Sequence, residues 1–359
     1  MQIVVSANSA AAGPEIGRIA AAAEEAGADA VWVPEAYGWE AIARIGYLAA
    51  VTERVRLATA IVNVYSRSPT LIAQAAATLD ALSGGRFELG LGTSGPQVVE
   101  GWYGTPFEQP LGRLADTVEV CRKVWRRETV RYQGTTVTLP LPDDRGTGLG
   151  KALKLLPEPV RDTVPVWVAA LGPRSVRFTA ATADGWYPIF YPLNGPLPEV
   201  WTSALADGRS ERPASLSPLR ICAGGPVVVS DDAALIEAGR EKWRERIAHY
   251  VGRMGAPSRN FYRSLVERLG YPAEAVEIHR RMRADGPVAA AGAVPDGLVD
   301  AVALCVEPAS LAGRLDAARG NGVTHLRVDT SAVGWQRTVA SLRAAVDAER
   351  AQEPPPLGP

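Results

Sequence analysis

Eight short apolar runs constrain the fold of this 359-residue chain more than any other feature of its sequence. Each run suits a buried strand, and most are followed by a segment with apolar residues at helical spacing. Parallel strands joined by helices are covered on both faces, which explains why the runs are almost continuously apolar. The runs occupy residues 3–6, 30–34, 56–61, 87–92, 164–170, 185–190, 219–229 and 325–329. This repetition predicts an α/β fold, a (β/α)8 TIM barrel.

The helical segments support the same architecture, because apolar residues recur in them at positions i, i+3 and i+4. They cover residues 14–26, 41–52, 70–83, 112–127, 173–183 and 311–321. A doubly wound open sheet is the competing α/β fold. Its G-x-G-x-x-G signature is missing after the first strand, which ends in Ser6-Ala7-Asn8.

The chain is longer than one barrel requires, since such barrels typically have about 250 residues. We therefore expect a single domain over residues 1–350 with insertions at strand exits, near 128–165, 191–218 and 231–296. The first insertion is rich in Pro, Gly and Asp, and the third is Arg-rich and mostly helical in pattern. Insertions at strand exits usually shape the mouth of a pocket. Residues 351–359 are expected to form a disordered tail.

Charge and cysteine usage exclude several classes of protein. With 38 basic and 39 acidic residues the net charge is −1, and no basic cluster interleaved with aromatic residues indicates nucleic-acid binding. The sequence begins MQIVVSANSA without a charged leader, and no 18-residue apolar segment follows, so no membrane attachment is expected. Cys121, Cys222 and Cys305 are isolated and odd in number. These features favour a cytoplasmic protein with reduced thiols.

Metal and nucleophile chemistry have little support in the sequence. The three histidines, His249, His279 and His325, have no neighbouring His, Cys or carboxylate at metal-ligand spacing, so no metal site is expected. No G-x-S-x-G elbow occurs, which argues against a hydrolase triad. His325 is the first residue of the last predicted strand. It could face a pocket, but a histidine in the core or in contact with solvent is the simpler interpretation.

The segment from Thr78 to Trp102 is built like an active-site loop. A helix ends at Gly84-Gly85, a buried strand follows, and the chain then leaves that strand through Gly92-Thr93-Ser94-Gly95-Pro96-Gln97. Glycines directly after a strand let the backbone approach a ligand, and hydroxyl groups offer hydrogen bonds. Thr93, Ser94 and Gln97 are therefore candidate ligand-binding residues.

Several motifs together resemble the bacterial luciferase-like monooxygenase superfamily. They are WVPEAYGW at 32–39, LDALSGGRFELGLG at 79–92, SGPQVVEGWYG at 94–104, GLGKALK at 148–154, ATADGWYP at 181–188 and VDAVALCVEPASLAGRLDAARGNGVTHLRV at 299–328. The chain is most similar to the actinobacterial branch of oxidoreductases that use coenzyme F420, a 5-deazaflavin. The resemblance implies F420 as the cofactor, with FMN as the alternative because FMN-dependent relatives share the barrel.

The resemblance also implies where the cofactor binds. In similar deazaflavin enzymes the ring packs over a bulge after strand three that contains a non-prolyl cis peptide, and the matching bond here is Ala60–Ile61. The alternative is a trans strand end with Asn63 at the start of a turn. The cofactor phosphate is expected beyond strand five, where a helix N-terminus favours an anion. The residues of that segment are Leu171, Gly172, Pro173, Arg174 and Ser175, and their alternative role is an ordinary helix start with a surface arginine.

Hydride chemistry needs few acid–base residues, because the reactive carbon belongs to the cofactor. Candidates to stabilise charge on the substrate are Glu35, Tyr37, Asn63 and Glu100. Glu35 is either a general acid or base or the partner of an arginine such as Arg67.

Two further features bear on the substrate. Related sugar-phosphate dehydrogenases carry a histidine directly after the acidic residue that follows strand two, where this chain has Ala36, so that substrate class is doubtful. Aromatic residues near the strand exits suggest walls for an apolar or aromatic small molecule. They are Trp39, Trp102, Tyr103, Trp186, Tyr187, Phe190 and Tyr191.

Three functions follow from these features. The first is an F420-dependent oxidoreductase that transfers a hydride to or from a small organic substrate. The second is a reduced-FMN monooxygenase with a partner flavin reductase, and the third is a non-catalytic flavin-binding protein. An F420 or flavin reductase is a candidate partner, and the apolar faces of helices 41–52 and 70–83 together with the resemblance predict a homodimer.

Overall fold

The computed structural model describes residues 1–255 and 260–352, and the structural statements below concern this part of the chain. Eight parallel strands form a closed barrel, which confirms the predicted TIM-barrel fold. The strands of the barrel and the short strands beside it, numbered together along the chain, are β1 (Gln2–Ser6), β2 (Ala30–Val33), β3 (Arg56–Thr59), β4 (Val62–Asn63), β5 (Phe87–Gly92), β6 (Tyr132–Gln133), β7 (Thr138–Leu139), β8 (Val166–Val168), β9 (Gly185–Trp186), β10 (Arg220–Gly225), β11 (Val228–Val229), β12 (Cys305–Val306) and β13 (His325–Asp329).

The order around the barrel is β3-β2-β1-β13-β10-β9-β8-β5, and β5 closes the barrel by pairing with β3. The short strand β4 continues the third barrel position, because Val62 and Asn63 pair with Leu91 and Gly92 of β5. Two small sheets lie outside the barrel, the antiparallel pair β6–β7 and the parallel pair β11–β12.

Helices connect the strands and cover the barrel. Many begin with proline in the first turn, where the missing N–H has no intrahelical partner to lose. They are α1 (Pro14–Glu25), α2 (Ala41–Val51), α3 (Pro69–Leu82), α4 (Pro96–Gly101), α5 (Pro110–Trp125), α6 (Pro173–Thr182), α7 (Glu199–Ser210), α8 (Ala233–Arg253), α9 (Phe261–Arg268), α10 (Pro272–Ala284), α11 (Pro287–Ala291), α12 (Asp296–Val302), α13 (Leu311–Gly320) and α14 (Trp335–Gln352).

Apolar side chains form two cores. The larger one lies between the strands and the surrounding helices. A smaller one fills the barrel interior, as expected for a barrel that is packed rather than hollow. Its members are Val4, Ala30, Trp32, Ala58, Trp167 and Cys222, with Ala60 and Tyr187 packed against them.

The predicted strands and insertions differ from the structure in detail. The run at 219–229 is divided, because β10 ends at Gly225 and β11 pairs outside the barrel. The expected insertion at 128–165 contains the β6–β7 hairpin, 191–218 contains α7, and 231–296 is mainly the helices α8 to α11. The predicted tail begins too early, since α14 continues to Gln352, and residues 353–359 lie outside the described residues.

No helix in the described part of the chain combines the length and apolar character that a membrane span requires.

Candidate active site

A cavity of about 690 Å³ opens at the carboxyl ends of the barrel strands. This is the face where barrel enzymes bind their ligands. Its walls come from the exits of β1, β2, β4, β5, β8, β9 and β13, together with α8 and α9 of the inserted region. The sequence-predicted residues that line it are Glu35, Tyr37, Ala60, Ile61, Asn63, Thr93, Ser94, Leu171, Gly172 and Ser175.

One wall is the junction between β3 and β4. The Ala60–Ile61 peptide is cis, the conformation that the resemblance implied for this bond. The Thr59 hydroxyl accepts from the Gly90 N–H and donates to the Gly90 carbonyl, at 2.8 Å each, and so links β3 to β5. A Cβ at Gly90 would lie 1.9 Å from the Thr59 carbonyl oxygen, so only glycine permits this approach. The cavity wall at Ala60 and Ile61 is therefore fixed by close backbone packing.

Glu35 follows β2 and lies at the cavity, but its carboxylate is engaged. Arg67 donates to both oxygens, at 2.8 and 2.9 Å, and the Ala41 N–H at the start of α2 donates to Oε2 at 3.0 Å. Arg67 also contacts Glu40. Burial acts to lower the pKa of Arg67, but the two carboxylates outweigh it and raise that pKa. Of the two roles expected for Glu35, the geometry matches the ion pair with arginine.

Asn63 has a structural role beside its place in the cavity wall. Its Oδ1 accepts from the backbone N–H groups of Tyr65 and Ser66, at 2.9 Å each, and so fixes the turn after β4. Tyr103 lies next to Asn63. Burial and, to a smaller extent, the charge of Glu35 raise the pKa of the Tyr103 phenol, although a hydrogen bond with Asn63 acts to lower it. Tyr37 is 59% exposed at the rim.

The loop after β5 brings two of its three candidates to the cavity. Thr93 and Ser94 line it, whereas Gln97 is exposed on α4 and is not part of the wall. Glu100 was predicted as a catalytic candidate, but it also lies outside the wall. Its carboxylate accepts from the Phe107 N–H at 3.1 Å, because α4 turns the side chain toward the following loop.

The start of α6 is the expected phosphate position. Gly172 is the N-cap residue and provides no side-chain cap, so the first N–H groups of the helix are available to an anion. Leu171, Gly172 and Ser175 line the cavity, and the Ser175 hydroxyl donates to the Gly172 carbonyl at 2.8 Å. Pro173 and Arg174 do not line it, and Arg174 is exposed.

A charged cluster at the floor of the cavity was missed by the sequence reasoning. Arg327 contacts Asp329 at 3.0 Å, donates to the Gly224 carbonyl at 2.7 Å and donates to the Tyr187 hydroxyl. Arg246 of α8 forms an ion pair with the other oxygen of Asp329. Arginine and aspartate at alternate positions of a buried strand were the signal for this cluster, but nothing in the sequence distinguishes Arg246 among the arginines of α8.

The buried charges of this cluster hold one another ionised. Burial acts to raise the pKa of Asp329, but Arg327 and Arg246 lower it below its usual range. Burial likewise opposes the charge of Arg327, whereas Asp329 raises its pKa. Burial raises the pKa of Tyr187 to about 12, so this phenol is protonated at neutral pH.

The aromatic lining differs from the prediction. Of the seven aromatic residues proposed, Tyr187 alone belongs to the cavity wall within the described residues. Trp186, Phe190 and Tyr191 are buried in the outer core, whereas Trp39 and Trp102 are more than half exposed. The aromatic residues that do line the wall beside Tyr37 and Tyr187 are Phe107, Tyr250, Phe261 and Tyr262.

The histidines do not approach the cavity wall. His325 is buried at the opposite end of the barrel with its ring against Trp167, centroids 4.9 Å apart, as expected for a core histidine. Across residues 1–255 and 260–352, no group of three or more His, Cys, Asp or Glu side chains is arranged to hold a metal ion.

Comparison with known proteins gives consistent results. A family model described as luciferase-like monooxygenase matches residues 3–325. The chain is 39% identical over 327 residues to a Mycobacterium tuberculosis protein assigned by name to the coenzyme F420-dependent oxidoreductases. That alignment covers 90% of this chain and 93% of the relative.

Solved structures share the fold. The F420-dependent tetrahydromethanopterin reductase of Methanopyrus kandleri superimposes with a TM-score of 0.78 at 20% identity, over 97% of this chain and 99% of that one. An F420-dependent secondary alcohol dehydrogenase, solved with an F420–acetone adduct, gives 0.71 at 18% identity, over 97% and 98%. At such identities the likeness concerns the fold alone.

Proposed function

Because this chain belongs to the luciferase-like monooxygenase family, we propose that it is a coenzyme F420-dependent oxidoreductase. One observation carries the choice of cofactor, namely the 39% identity to an F420-named relative along nine-tenths of the chain. In this proposal the enzyme transfers a hydride between the deazaflavin and a small organic substrate. A second enzyme, an F420 reductase, would return the cofactor to its starting redox state.

The cavity has the features that such a cofactor requires. Its volume of about 690 Å³ accommodates a tricyclic ring beside a small substrate. Ala60 and Ile61 offer a wall without charged groups for the ring, with Thr93 and Ser94 at its edge. The uncapped helix start at Gly172 and Ser175 offers N–H groups to a phosphate. When bound, the deazaflavin supplies the carbon that accepts or donates the hydride.

The remaining residues orient the ligands and exclude water. Glu35, held by Arg67, fixes the start of α2 and presents a compensated charge to the cavity. Asn63 maintains the turn after β4, and Tyr37 covers the rim. We assign Glu35 and Asn63 positioning roles, since both oxygens of Glu35 and the Oδ1 of Asn63 already accept hydrogen bonds.

A titration of the purified protein with oxidised F420 and, separately, with FMN tests the proposal. We expect micromolar or tighter binding of F420 and weaker binding of FMN, followed by fluorescence or calorimetry. Preferential FMN binding would instead favour a reduced-FMN monooxygenase, and monooxygenase is the activity that the family description names. Binding of neither cofactor would contradict the proposal.

The phosphate position has its own test. Gly172→Asp places a carboxylate at the N-cap, where it competes with a bound anion, so F420 affinity should fall at least about tenfold. Ser310→Asp is the matched control, because Ser310 is the N-cap of α13 and does not line the cavity. Equal F420 affinities of the two variants would show that the phosphate does not bind at this helix start.

We also propose that the protein is a cytoplasmic homodimer. Its three cysteines are buried free thiols, which suits a reducing compartment. The outer faces of α2 and α3 expose Tyr47 at 42%, Leu71 at 50% and Leu82 at 60%. Multi-angle light scattering should give twice the mass of one chain. The double variant Leu71→Glu/Leu82→Glu should have the mass of a single chain. A monomeric wild-type mass would contradict the dimer.

A further inference from the structure

The floor of the cavity carries an uncompensated positive charge. Arg327 and Arg246 share a single carboxylate, that of Asp329, so the cluster has a net charge of +1. The other charged residue of the wall, within the described residues, is Glu35. Its partner Arg67 is shared with Glu40, so those two carboxylates and one guanidinium carry a net charge of −1. In the described part of the chain, the excess positive charge of the cavity wall therefore lies at its floor.

The surrounding wall increases the effect of this charge. Much of it is aliphatic or aromatic, and a charge in such surroundings interacts more strongly with a ligand than it would in water. The apolar lining residues include Ala60, Ile61, Val98, Leu111, Leu114 and Ile189. A ligand with an apolar body and one negative group would match both the wall and the floor.

Tyr187 adds a directed donor to the same floor. Its oxygen accepts a hydrogen bond from Arg327, and within the described residues its own proton has no acceptor. The ring is held edge-on by Trp32, with centroids 5.0 Å apart, so the hydroxyl has a fixed position. Tyr187 and Ala60 pack on the same interior cluster, which places the donor near the wall proposed for the cofactor ring.

We propose that the Tyr187 hydroxyl and the Arg246 guanidinium form an oxyanion-binding site for the substrate, and that the substrate is an apolar molecule with one carboxylate or comparable anionic oxygen. Arg246 is the more accessible arginine of the cluster, with 24% of its side chain accessible against 9% for Arg327, and it reaches the cavity from α8. Asp329 holds the guanidinium in place, and Arg327 holds the phenol. The inference rests on the proposed function only in that the ligand is called a substrate.

The probes are 2-naphthoate and 2-naphthamide, which share an apolar body and differ in charge. Calorimetric titration of the full chain should show that naphthoate binds about tenfold or more tightly than naphthamide, as expected for a charge-assisted contact. Arg246→Gln and Tyr187→Phe should each remove most of this preference, and Arg246→Lys should retain part of it. Lys242→Gln is the control, because it removes a charge from the same helix outside the cavity wall and should change nothing.

The experiment separates this proposal from the cofactor assignment. Naphthoate should still bind when the protein is saturated with F420, since the site belongs to the substrate. Competitive displacement by F420 would assign the floor to the cofactor and overturn the proposal. Equal binding of the two probes, or an unchanged preference in a folded Arg246→Gln variant, would overturn it as well, whatever the F420 titration shows. Circular dichroism verifies that each variant is folded.

Discussion

The two ends of the barrel interior both contain buried charges, but they use them differently. At the amino ends of the strands, Glu88 accepts from Arg220 at 3.2 Å, contacts Arg56 at 3.6 Å and accepts from the Trp167 indole at 2.6 Å. Arg220 also stacks over the Trp167 ring, 4.7 Å from its centroid, and His325 packs against that ring. We call this the closed end, because its side chains fill the space.

At the carboxyl ends, Asp329, Arg327, Arg246 and Tyr187 face the cavity instead. Both clusters contain two arginines and one carboxylate, so charge content alone does not distinguish them. Arg56 and Arg220 keep 31% and 28% of their side chains accessible and lie outside the cavity wall. Arg327 is buried, and Arg246, whose side chain is 24% accessible, lines the cavity. A buried charge thus indicates function when it faces a cavity and stability when it faces protein.

The largest effect is expected when the carboxylate of the cavity floor is removed. Asp329→Asn leaves two guanidiniums without a counterion, and Arg327 has little access to water. The free energy of unfolding should fall by about 3–5 kcal/mol, as when one partner of a buried ion pair is lost. Urea denaturation measures the change.

Asp347→Asn is the control for that substitution, because Asp347 pairs with Arg343 on the surface and is 55% exposed. Loss of this surface ion pair should lower the free energy of unfolding by less than about 1 kcal/mol. An Asp329→Asn variant as stable as this control would mean that the floor cluster is solvated like a surface pair.

Glu88→Gln tests the closed end. Its two arginines can reach water, so we expect a smaller loss, about 2 kcal/mol in the free energy of unfolding. Binding of F420 and of naphthoate should be unchanged, since the cluster lies at the opposite end from the cavity. A variant that lost ligand affinity while remaining folded would show that the two ends are coupled.

The closed end should also determine part of the pH dependence of stability. Burial, followed by Arg220 and Arg56, lowers the pKa of His325 to about 3 from an ordinary value of 6.5. Below pH 6.5 His325 therefore takes up a proton in the unfolded chain but not in the folded protein. The free energy of unfolding consequently decreases as the pH falls. Between pH 6.5 and 5 the loss amounts to about 2 kcal/mol.

Urea denaturation at several pH values checks this expectation. His325→Gln should flatten the pH dependence in that range, whereas His249→Gln should leave most of it, because His249 is exposed. An unchanged slope in His325→Gln would mean that the imidazole is already charged in the folded protein.

The periodic features of the sequence were sufficient to predict the barrel. Eight apolar runs and the helices between them specify the architecture because burial on both faces leaves a local signature in each element. The element boundaries were predicted less accurately. The 219–229 run was predicted as one strand, but Gly224-Gly225-Pro226 interrupts it where β10 ends. The pairing of Val228 with Cys305, far along the chain, could not be predicted from this run.

The candidate site was predictable only where it is local. Loop residues directly after strands, such as Thr93 and Gly172, follow from chain order alone. Glu100 was misplaced because the short helix α4 turns it away. The Arg246–Asp329 pair could not be predicted, since it joins an inserted helix to the last strand through a contact that leaves no pattern in sequence.

Tyr187→Phe should have the smallest effect on stability and gives the sharpest test of the comparison. The hydroxyl group accepts one hydrogen bond, from Arg327, and that guanidinium keeps its contacts with Asp329 and the Gly224 carbonyl when the hydroxyl is lost. We expect a loss of under about 1 kcal/mol in the free energy of unfolding, together with a clear loss of preference for naphthoate.

Trp167→Phe at the closed end is the matched change, because it removes the indole donor to buried Glu88 and should cost stability without affecting binding. If Tyr187→Phe were as destabilising as Trp167→Phe, the phenol would be a structural element of the barrel, and the two ends would no longer differ in kind.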